Sequence, residues 1–239
     1  MKQLWPFLIF LIILNSCTSE SKPVTFETVS VEESFEAEIT AIYNKASGNS
    51  DLSNTINNTI EKALISTVST PENNKVLKEV LSDFNSDYVS FKKDFPEESE
   101  PVWELHIETE KTFQSEEVIT LAISTYEFKG GAHGNDKIIF LNLDAKSGED
   151  LNQNDIIENQ GEFKKLAQQH FIKALETEDE NLKMEDFFFG KPFQLPENIG
   201  YSEDGLVLLY NVYEIASFEQ GYTEFVIPFE DVQSYLKVN

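Results

Sequence analysis

The sequence has a single cysteine, Cys17, among its 239 residues, and only three histidines. Without a second cysteine the chain has no intramolecular disulfide, and the residues after position 17 offer no thiol for catalysis or metal binding. A zinc site needs three or four protein ligands, and no histidine shows ligand spacing to another. We therefore predict that the chain holds no metal and no cofactor.

Positive charge is also scarce. The chain has 18 Lys and Arg residues against 43 Asp and Glu residues, which gives a formal net charge of −25 at pH 7. Such a surface repels the phosphates of nucleic acids and anionic lipid headgroups, and it steers cationic partners toward the protein in a salt-dependent way. Nucleic-acid binding is therefore excluded from the expected functions.

The usual sequence motifs of catalysis are missing. There is no Gly-x-Ser-x-Gly elbow for a serine nucleophile, and no Gly-rich loop or Walker motif for a phosphate. A glycosidase-like pair of carboxylates stays an open alternative, because the chain has many acidic residues. The same abundance means that no particular pair is indicated. No residue is predicted to be catalytic.

Long hydrophobic runs are absent except near the start of the chain. Residues 4–14 form an apolar run of eleven residues, which is too short to span a bilayer but suits the core of a signal peptide. The residues that follow, Leu14-Asn15-Ser16-Cys17, resemble the lipobox of bacterial lipoproteins. This resemblance implies a lipoprotein signal peptide at 1–17 with a lipid anchor on Cys17. The alternative is an ordinary secretory signal with an incidental cysteine.

The pattern of apolar residues predicts a mixed fold. Alternation predicts strands at residues 24–31, 35–43, 103–108, 118–128, 137–143, 206–213 and 223–227. Spacing of three and four predicts helices at residues 52–66, 74–91, 161–177 and 229–236. Strands and helices are grouped rather than strictly alternating, which predicts an α+β fold with antiparallel sheets and packed helices.

Two motifs carry a resemblance to a known family. Residues 126–134 read YEFKGGAHG and are followed by NLD at 142–144 and SG at 147–148. Residues 213–218 read YEIASF and are followed by Gly221 and by IPF at 227–229. In this order the motifs resemble the paired domains of unknown function numbered 4163 and 3298, which occur in secreted, lipid-anchored or membrane-tethered bacterial proteins.

The resemblance implies an organisation into two intimately joined α+β subdomains. The predicted limits are a tether at 18–25, a 4163-like subdomain at 26–135 and a 3298-like subdomain at 136–239. Members of the family include the ectodomain of a lysozyme-sensing anti-sigma factor and the non-catalytic N-terminal part of a peptidoglycan deacetylase. A binding or sensing module outside the cytoplasm is therefore expected more readily than an enzyme.

Together with the lipobox, the resemblance predicts a lipid-anchored module of the cell envelope. Thr18, after the cysteine, resembles the class sorted to the outer membrane of Gram-negative bacteria. The expected partner is a cationic, lysozyme-like protein or a cell-wall glycan. Two alternatives stay open: an envelope glycan hydrolase that uses His133 with Glu127 or Asp136, and a structural scaffold lipoprotein.

Candidate binding residues come from the two motifs and from the aromatic-rich C-terminal part. They are His133, Gly131, Tyr126, Tyr210, Tyr213 and Tyr222. Most of the C-terminal aromatic residues are expected in the core, with one or two exposed. His106, between Glu104 and Glu108, is expected to be a solvated side chain.

Overall fold

A computed structural model describes residues 23–31, 33–68, 75–178 and 182–239. The predicted signal peptide with Cys17 lies outside the described residues, and so do residues 18–22 of the predicted tether. In the described part of the chain, no helix is both long and apolar enough to cross a membrane. Both hydrophobic cores use residues from Val24 onward, so the segment 18–239 contains every residue of these cores.

The N-terminal part forms a five-stranded sheet whose spatial order follows the chain. Its strands are β1 (Phe26–Ser30), β2 (Glu38–Ala46), β3 (Glu104–Gln114), β4 (Val118–Phe128) and β5 (Asn135–Asp144). All neighbours pair antiparallel except β2 and β3, which run parallel. A parallel pair needs a long crossover, and this crossover contains the helices α1 (Asp51–Val68) and α2 (Leu77–Asp94).

The two crossover helices cover one face of this sheet. In α1, Ile56, Ile60 and Leu64 recur every four residues and are buried along one stripe. They belong to the same core as Leu105 of β3 and Leu121 of β4. Successive strand residues point to opposite faces, so the odd-numbered residues of β4, and those of β3 before its bulge, meet the helices and the even-numbered ones face away.

The C-terminal part forms a three-stranded antiparallel sheet. Its elements are α3 (Gln153–Ile156), α4 (Gln160–Glu178), β6 (Asn198–Ser202), β7 (Gly205–Tyr210), β8 (Thr223–Pro228) and α5 (Phe229–Val232). Phe171 of α4 packs at the centre of an aromatic core. The centroid of its ring lies 5.4–6.0 Å from the ring centroids of Phe187, Phe188, Phe193, Tyr210 and Phe225. Tilted and edge-to-face contacts of this kind add to the stabilisation from burial.

The two sheets meet where β6 lies across the face that the helices leave open. Asn142 of β5 donates its side-chain N–H to the carbonyl of Ile199 at 2.8 Å, and the hydroxyl of Thr112 donates to the carbonyl of Tyr201 at 2.7 Å. Gly200 allows this approach, because a Cβ there would lie 2.3 Å from an aromatic ring of β5. The backbone of β6 therefore docks onto side chains of the first sheet and covers one half of its open face.

Two asparagines cover the outer edge of β5. Asn198 accepts from the N–H of Phe140 at 2.6 Å and donates to the carbonyl of Ile138 at 2.8 Å. Asn211 bonds both backbone groups of Ile138, at 2.8 and 2.9 Å. A side-chain amide carries a donor and an acceptor like a peptide group, so these residues satisfy an edge that would otherwise invite another strand.

The predicted α+β class with antiparallel sheets and packed helices is confirmed. The strand β3 continues to Gln114, beyond the predicted end at 108, and three details differ in the C-terminal part. The strand β6 was missed, and β7 ends at Tyr210 rather than at 213 because Asn211 turns toward β5. The predicted C-terminal helix is shorter, since α5 ends at Val232 and Leu236 forms a β-bridge with Ile157.

The predicted subdomain boundary between residues 135 and 136 falls at the start of β5. That strand pairs with β4 along its whole length and so lies in the N-terminal sheet. The second core takes its members from Ile156 onward, with Val118 of β4 added where the sheets meet. The predicted limits of the subdomains stay a prediction. The hydrogen bonds between β4 and β5 place β5 with the N-terminal strands.

Candidate functional site

The half of the open sheet face that β6 leaves uncovered carries two rows of side chains across four strands. The register aligns Thr40, His106, Tyr126 and Asp136 in one row, and Ile42, Glu108, Ser124 and Ile138 in the next. Strand alternation places all of them on the face opposite α1 and α2. Each is exposed or half-exposed, so the rows form an accessible surface.

These two rows form the floor of an open cleft of about 530 Å³. Tyr222, which directly precedes β8, also lines it, so both subdomains contribute to its walls. We call this feature the sheet-face cleft, defined by the two floor rows and Tyr222. Its size is that of an ordinary small-ligand site or of a pocket that receives side chains of a partner.

The sheet-face cleft is acidic. Glu108 and Asp136 form no ion pair with any described lysine or histidine. Glu104 lies on the same sheet face beside the floor, and its carboxylate is 3.4 Å from Nε2 of His106. The floor therefore presents two carboxylates without a cationic partner and a third that is shared with an imidazole.

Lys137 also lines the cleft, but it forms no ion pair with Glu108 or Asp136. It stands opposite Thr125 on β4, and the hydroxyl of Thr125 is hydrogen-bonded to Thr67 of α1 at 2.8 Å. Cross-strand neighbours share a face, so the Cβ of Lys137 points to the helix-covered side of the sheet.

The ring of Tyr126 is fixed by its neighbours. It stacks nearly parallel to the ring of His106, with centroids 6.0 Å apart and an interplanar angle of 13°. On another side it lies against Gly134, where a Cβ would come within 2.3 Å of the ring. A side chain at position 134 would displace the ring of Tyr126 from this position.

Burial and nearby negative charge keep both tyrosines of the cleft protonated. Burial, then Glu104 and Asp136, raise the pKa of Tyr126 above its ordinary value. Burial and Asp136 raise the pKa of Tyr222 to about 12. At neutral pH both side chains are therefore neutral phenols that offer ring faces and hydroxyl groups.

The loop between β4 and β5 reaches the second subdomain through an aromatic stack. Gly130 and Gly131 adopt positive φ values of 86° and 102°, which glycine tolerates without strain. The exposed ring of His133 stacks on Phe218, with centroids 4.0 Å apart, and Phe218 contacts Tyr213 at 5.5 Å. The histidine thus connects the two motifs that carry the family resemblance.

The candidate binding residues lie in different surroundings. Tyr126 and Tyr222 line the sheet-face cleft. His133 and Tyr213 belong to the exposed aromatic stack, and Gly131 shapes the loop that presents His133. Cys17 lies outside the described residues.

Tyr210 does not fit the role expected of it. It is 1% exposed, and its hydroxyl donates to the carbonyl of Gln194 at 2.5 Å. Burial raises the pKa of its phenol, and the negative charge of Glu214 raises this pKa further. Its ring packs the aromatic core and is out of reach of a ligand, so its placement among binding residues is corrected.

Sequence reasoning missed most of the cleft floor. The sequence assigns no role to Glu108, predicts only a solvated side chain for His106, and indicates Asp136 only as an acid of the hydrolase alternative. The parallel pairing of β2 with β3 brings Thr40 and Ile42 beside them, and that pairing joins segments more than 50 residues apart. Alternation within β3 and β4 was the available signal, but it does not reveal which face stays open.

The geometry gives little support to the hydrolase alternative. His133 packs on an aromatic ring and forms no ion pair with a carboxylate among the described residues. Glu127 is bound to Lys129 at 3.3 Å and alternates to the sheet face opposite Asp136. Within the described residues there is also no group of three or more His, Cys, Asp or Glu side chains arranged to hold a metal ion.

Two family models match the chain. The model described as deacetylase PdaC matches residues 30–136, and the model described as a protein of unknown function, DUF3298, matches residues 148–230. The second is the C-terminal family expected from the motifs, whereas the first match carries the deacetylase description and not the number 4163. No curated protein matches the chain.

Two solved structures share the fold. A crystal structure of a DUF3298 family member from Bacteroides fragilis has a TM-score of 0.68 at 20% identity, covering 89% of this chain and 93% of that one. A DUF3298 family protein from Pseudomonas aeruginosa PAO1 has a TM-score of 0.64 at 21% identity, covering 90% of this chain and 95% of that one. At such low identity these likenesses establish the fold, which is that of DUF3298 family structures.

Proposed function

We propose that this protein is a binding module of the bacterial cell envelope and that its partner binds over the sheet-face cleft. The two matched domains indicate an extracytoplasmic module. The observation that carries the proposal is the cleft of about 530 Å³, to which both subdomains contribute. A preformed concave surface with exposed rings and a few convergent polar groups is the usual form of a binding site.

A cationic protein, such as a lysozyme-like enzyme, is the first candidate partner. The net charge of −25 attracts positively charged proteins at a distance. Glu108 and Asp136, which have no ion-pair partner among the described residues, supply local attraction within the cleft. Electrostatic attraction of this kind accelerates association and weakens as salt is added.

A cell-wall glycan is the second candidate, and a separate observation favours it. The nearly parallel rings of His106 and Tyr126 stand beside the hydroxyls of Thr40 and Ser124 on the cleft floor. Aromatic rings offer apolar faces to the C–H groups of sugars, while hydroxyls and carboxylates bond sugar hydroxyl groups.

The proposed location is the envelope, with a lipid on Cys17 as the anchor and the outer membrane of a Gram-negative bacterium as the site. The lipobox-like residues 14–17 support this part of the proposal. Several acyl chains on one cysteine hold a protein far more firmly than a single chain does. Anchoring would keep the cleft close to secreted proteins and to the cell wall.

Retention of residues 18–239 on immobilised hen lysozyme and on insoluble peptidoglycan, at low and high salt, tests the function. We expect retention on at least one of them at low salt. The double variant Glu108→Gln, Asp136→Asn should lose most of this retention. The matched control Glu203→Gln, Asp204→Asn removes two charges in the β6–β7 turn and should be retained like the wild type. Lack of retention of the unaltered protein on either material would refute the proposal, and a stable oligomer without ligand would then favour the scaffold alternative.

A further inference from the structure

The composition of the sheet-face cleft indicates which chemical group it receives, an inference that rests on the function proposed above. We propose that the cleft binds one cationic side chain of a protein partner, a lysine or arginine, with its charged head among Tyr126, Tyr222 and Asp136. The apolar stem of that side chain lies along Ile138. Each part of the proposal follows from a different feature of the lining.

The charged head is recognised first by aromatic rings. Tyr126 is half-exposed and Tyr222 is 37% exposed, so part of each ring is open to the cleft. Neutral phenol rings attract an ammonium or guanidinium group above their faces, and this attraction grows as water is excluded. The lining thus offers two ring surfaces, one from each subdomain, to a single cation.

Asp136 lies where both rings can act together with it. It stands directly opposite Tyr126 in the strand register. Its negative charge contributes to the raised pKa of both Tyr126 and Tyr222, so it lies near both rings. No cationic side chain among the described residues forms an ion pair with it. An incoming cation would therefore meet a free carboxylate and two rings at one end of the floor.

The second floor row suits the remainder of the side chain. Ile42 and Ile138 stand in that row with Glu108 and Ser124 between them. Lysine and arginine bury their methylene stems on apolar surface while the charged head stays in a polar environment. Ile138, two residues from Asp136 on the same face of β5, provides such a surface, whereas Ile42 lies three strand spacings (about 14 Å) away at the other end of the row. An anionic ligand would be repelled by the carboxylates of both rows.

Small probes test this inference without the unidentified partner. Isotope-labelled residues 18–239 are titrated with N-acetyl-lysine N-methylamide, with the norleucine analogue that lacks the ammonium group, and with chitotriose, while backbone amide shifts are followed. We expect the lysine probe to shift the amides of His106, Tyr126, Asp136 and Tyr222, and the norleucine probe to leave them unchanged. Asp136→Asn and Tyr222→Leu should each weaken the lysine probe by about fivefold, and Glu203→Gln should not.

Three results would overturn the inference. Equal shifts with the norleucine probe would show that apolar contact is enough, shifts with chitotriose alone would assign the cleft to a glycan, and absence of shifts would leave it without a ligand of either class. Thermal unfolding of each variant checks that the exposed substitutions leave the fold intact. If the lysine probe does not bind but immobilised lysozyme retains the protein, the inference falls and the proposed function stands. If the lysine probe binds but neither lysozyme nor peptidoglycan retains the protein, the proposed function falls and the assignment of a cationic side chain to the cleft stands.

Discussion

Two exposed aromatic residues adopt a backbone conformation that their side chains disfavour. Phe189 and Tyr213 have φ values of 50° and 67°, and their side chains are 65% and 56% exposed. Bulky residues with positive φ are genuine outliers that cost about 1 kcal/mol or more. The loops are tied together by the N–H of Phe188, which donates to the carbonyl of Ile215 at 2.6 Å. The rest of the fold therefore maintains two rings in solvent at a local cost.

Replacement of Phe189 should consequently stabilise the protein. Phe189→Asn introduces a residue that tolerates the left-handed region, and we expect the free energy of unfolding to rise by about 0.5 kcal/mol. Phe95→Asn is the matched control, because Phe95 is 50% exposed but has a negative φ and packs on Phe91. Urea unfolding of both variants measures the difference. Equal losses of stability would show that the ring of Phe189 serves the fold.

Two buried tyrosines should make the protein sensitive to alkali. The hydroxyls of Tyr201 and Tyr210 donate to the carbonyls of Val238 and Gln194, and burial raises the pKa of both phenols above the value of about 10 in the unfolded chain. Their contribution to stability is complete below pH about 10. It is lost as pH rises further, by up to about 1.4 kcal/mol per pH unit for each tyrosine.

Guanidinium unfolding between pH 8 and pH 11 measures this loss. We expect a nearly constant free energy up to about pH 9.5 and a steep fall above it. The double variant Tyr201→Phe, Tyr210→Phe is less stable at pH 8, because both phenols lose their hydrogen bonds, but its stability should fall less steeply. An unchanged slope in that variant would assign the alkaline loss to other groups.

At the scale of single elements, the edge of β5 depends on side chains of the second subdomain. Asn198→Ala removes the partner of the Phe140 N–H and one of the two donors to the Ile138 carbonyl, and we expect a loss of about 2 kcal/mol in the free energy of unfolding. Asn58→Ala is the control, because Asn58 is exposed on α1 and alanine is the better helix former. Urea unfolding compares the two. A loss no larger for Asn198→Ala than for Asn58→Ala would mean that water replaces the asparagine at no cost.

The elements themselves were predictable where local pattern decides them. The four-residue spacing of Ile56, Ile60 and Leu64 is enough to predict α1, because one apolar stripe meets one core. The strand β6 was not predictable, because Gly200 interrupts the pattern and its backbone is satisfied by side chains of another sheet. Local periodicity carries no information about such a partner.

The candidate site was predictable only in part, for a related reason. Tyr126 and Tyr222 were selected as aromatic residues near the motifs, and both line the cleft. Asp136 and Glu108 become floor residues only when β5, β4, β3 and β2 are aligned in register. One acidic residue among 43 carries no signal until the pairing of distant strands places it beside the two rings.

At the scale of the whole molecule, the two subdomains are joined at several independent points. Phe113 of β3 stacks on Tyr201 of β6 with centroids 5.5 Å apart. The C-terminal residue Asn239 accepts a hydrogen bond from Ser115 and donates to Glu117, both near the β3–β4 turn. Val118 of β4 belongs to the second core, and side chains of the second subdomain cover the edge of β5.

We therefore predict one cooperative unfolding transition for residues 18–239. Trp103 packs with Phe84, Tyr88 and Phe91, so its fluorescence reports the first core. Near-ultraviolet circular dichroism of the many phenylalanine and tyrosine rings reports the second core as well. Coincident midpoints of the two signals are expected, and two separate midpoints would show that the subdomains unfold independently.

The central claim is that the sheet-face cleft is the surface where a partner binds, and carboxylate footprinting tests it most directly. Exposed carboxylates of residues 18–239 are modified with a carbodiimide and glycine ethyl ester, with and without lysozyme or soluble peptidoglycan fragments, and quantified by mass spectrometry. We predict that modification of Glu108 and Asp136 falls severalfold in the complex while that of Glu203 stays constant. Unchanged modification of Glu108 and Asp136 in the presence of a bound partner would contradict the account.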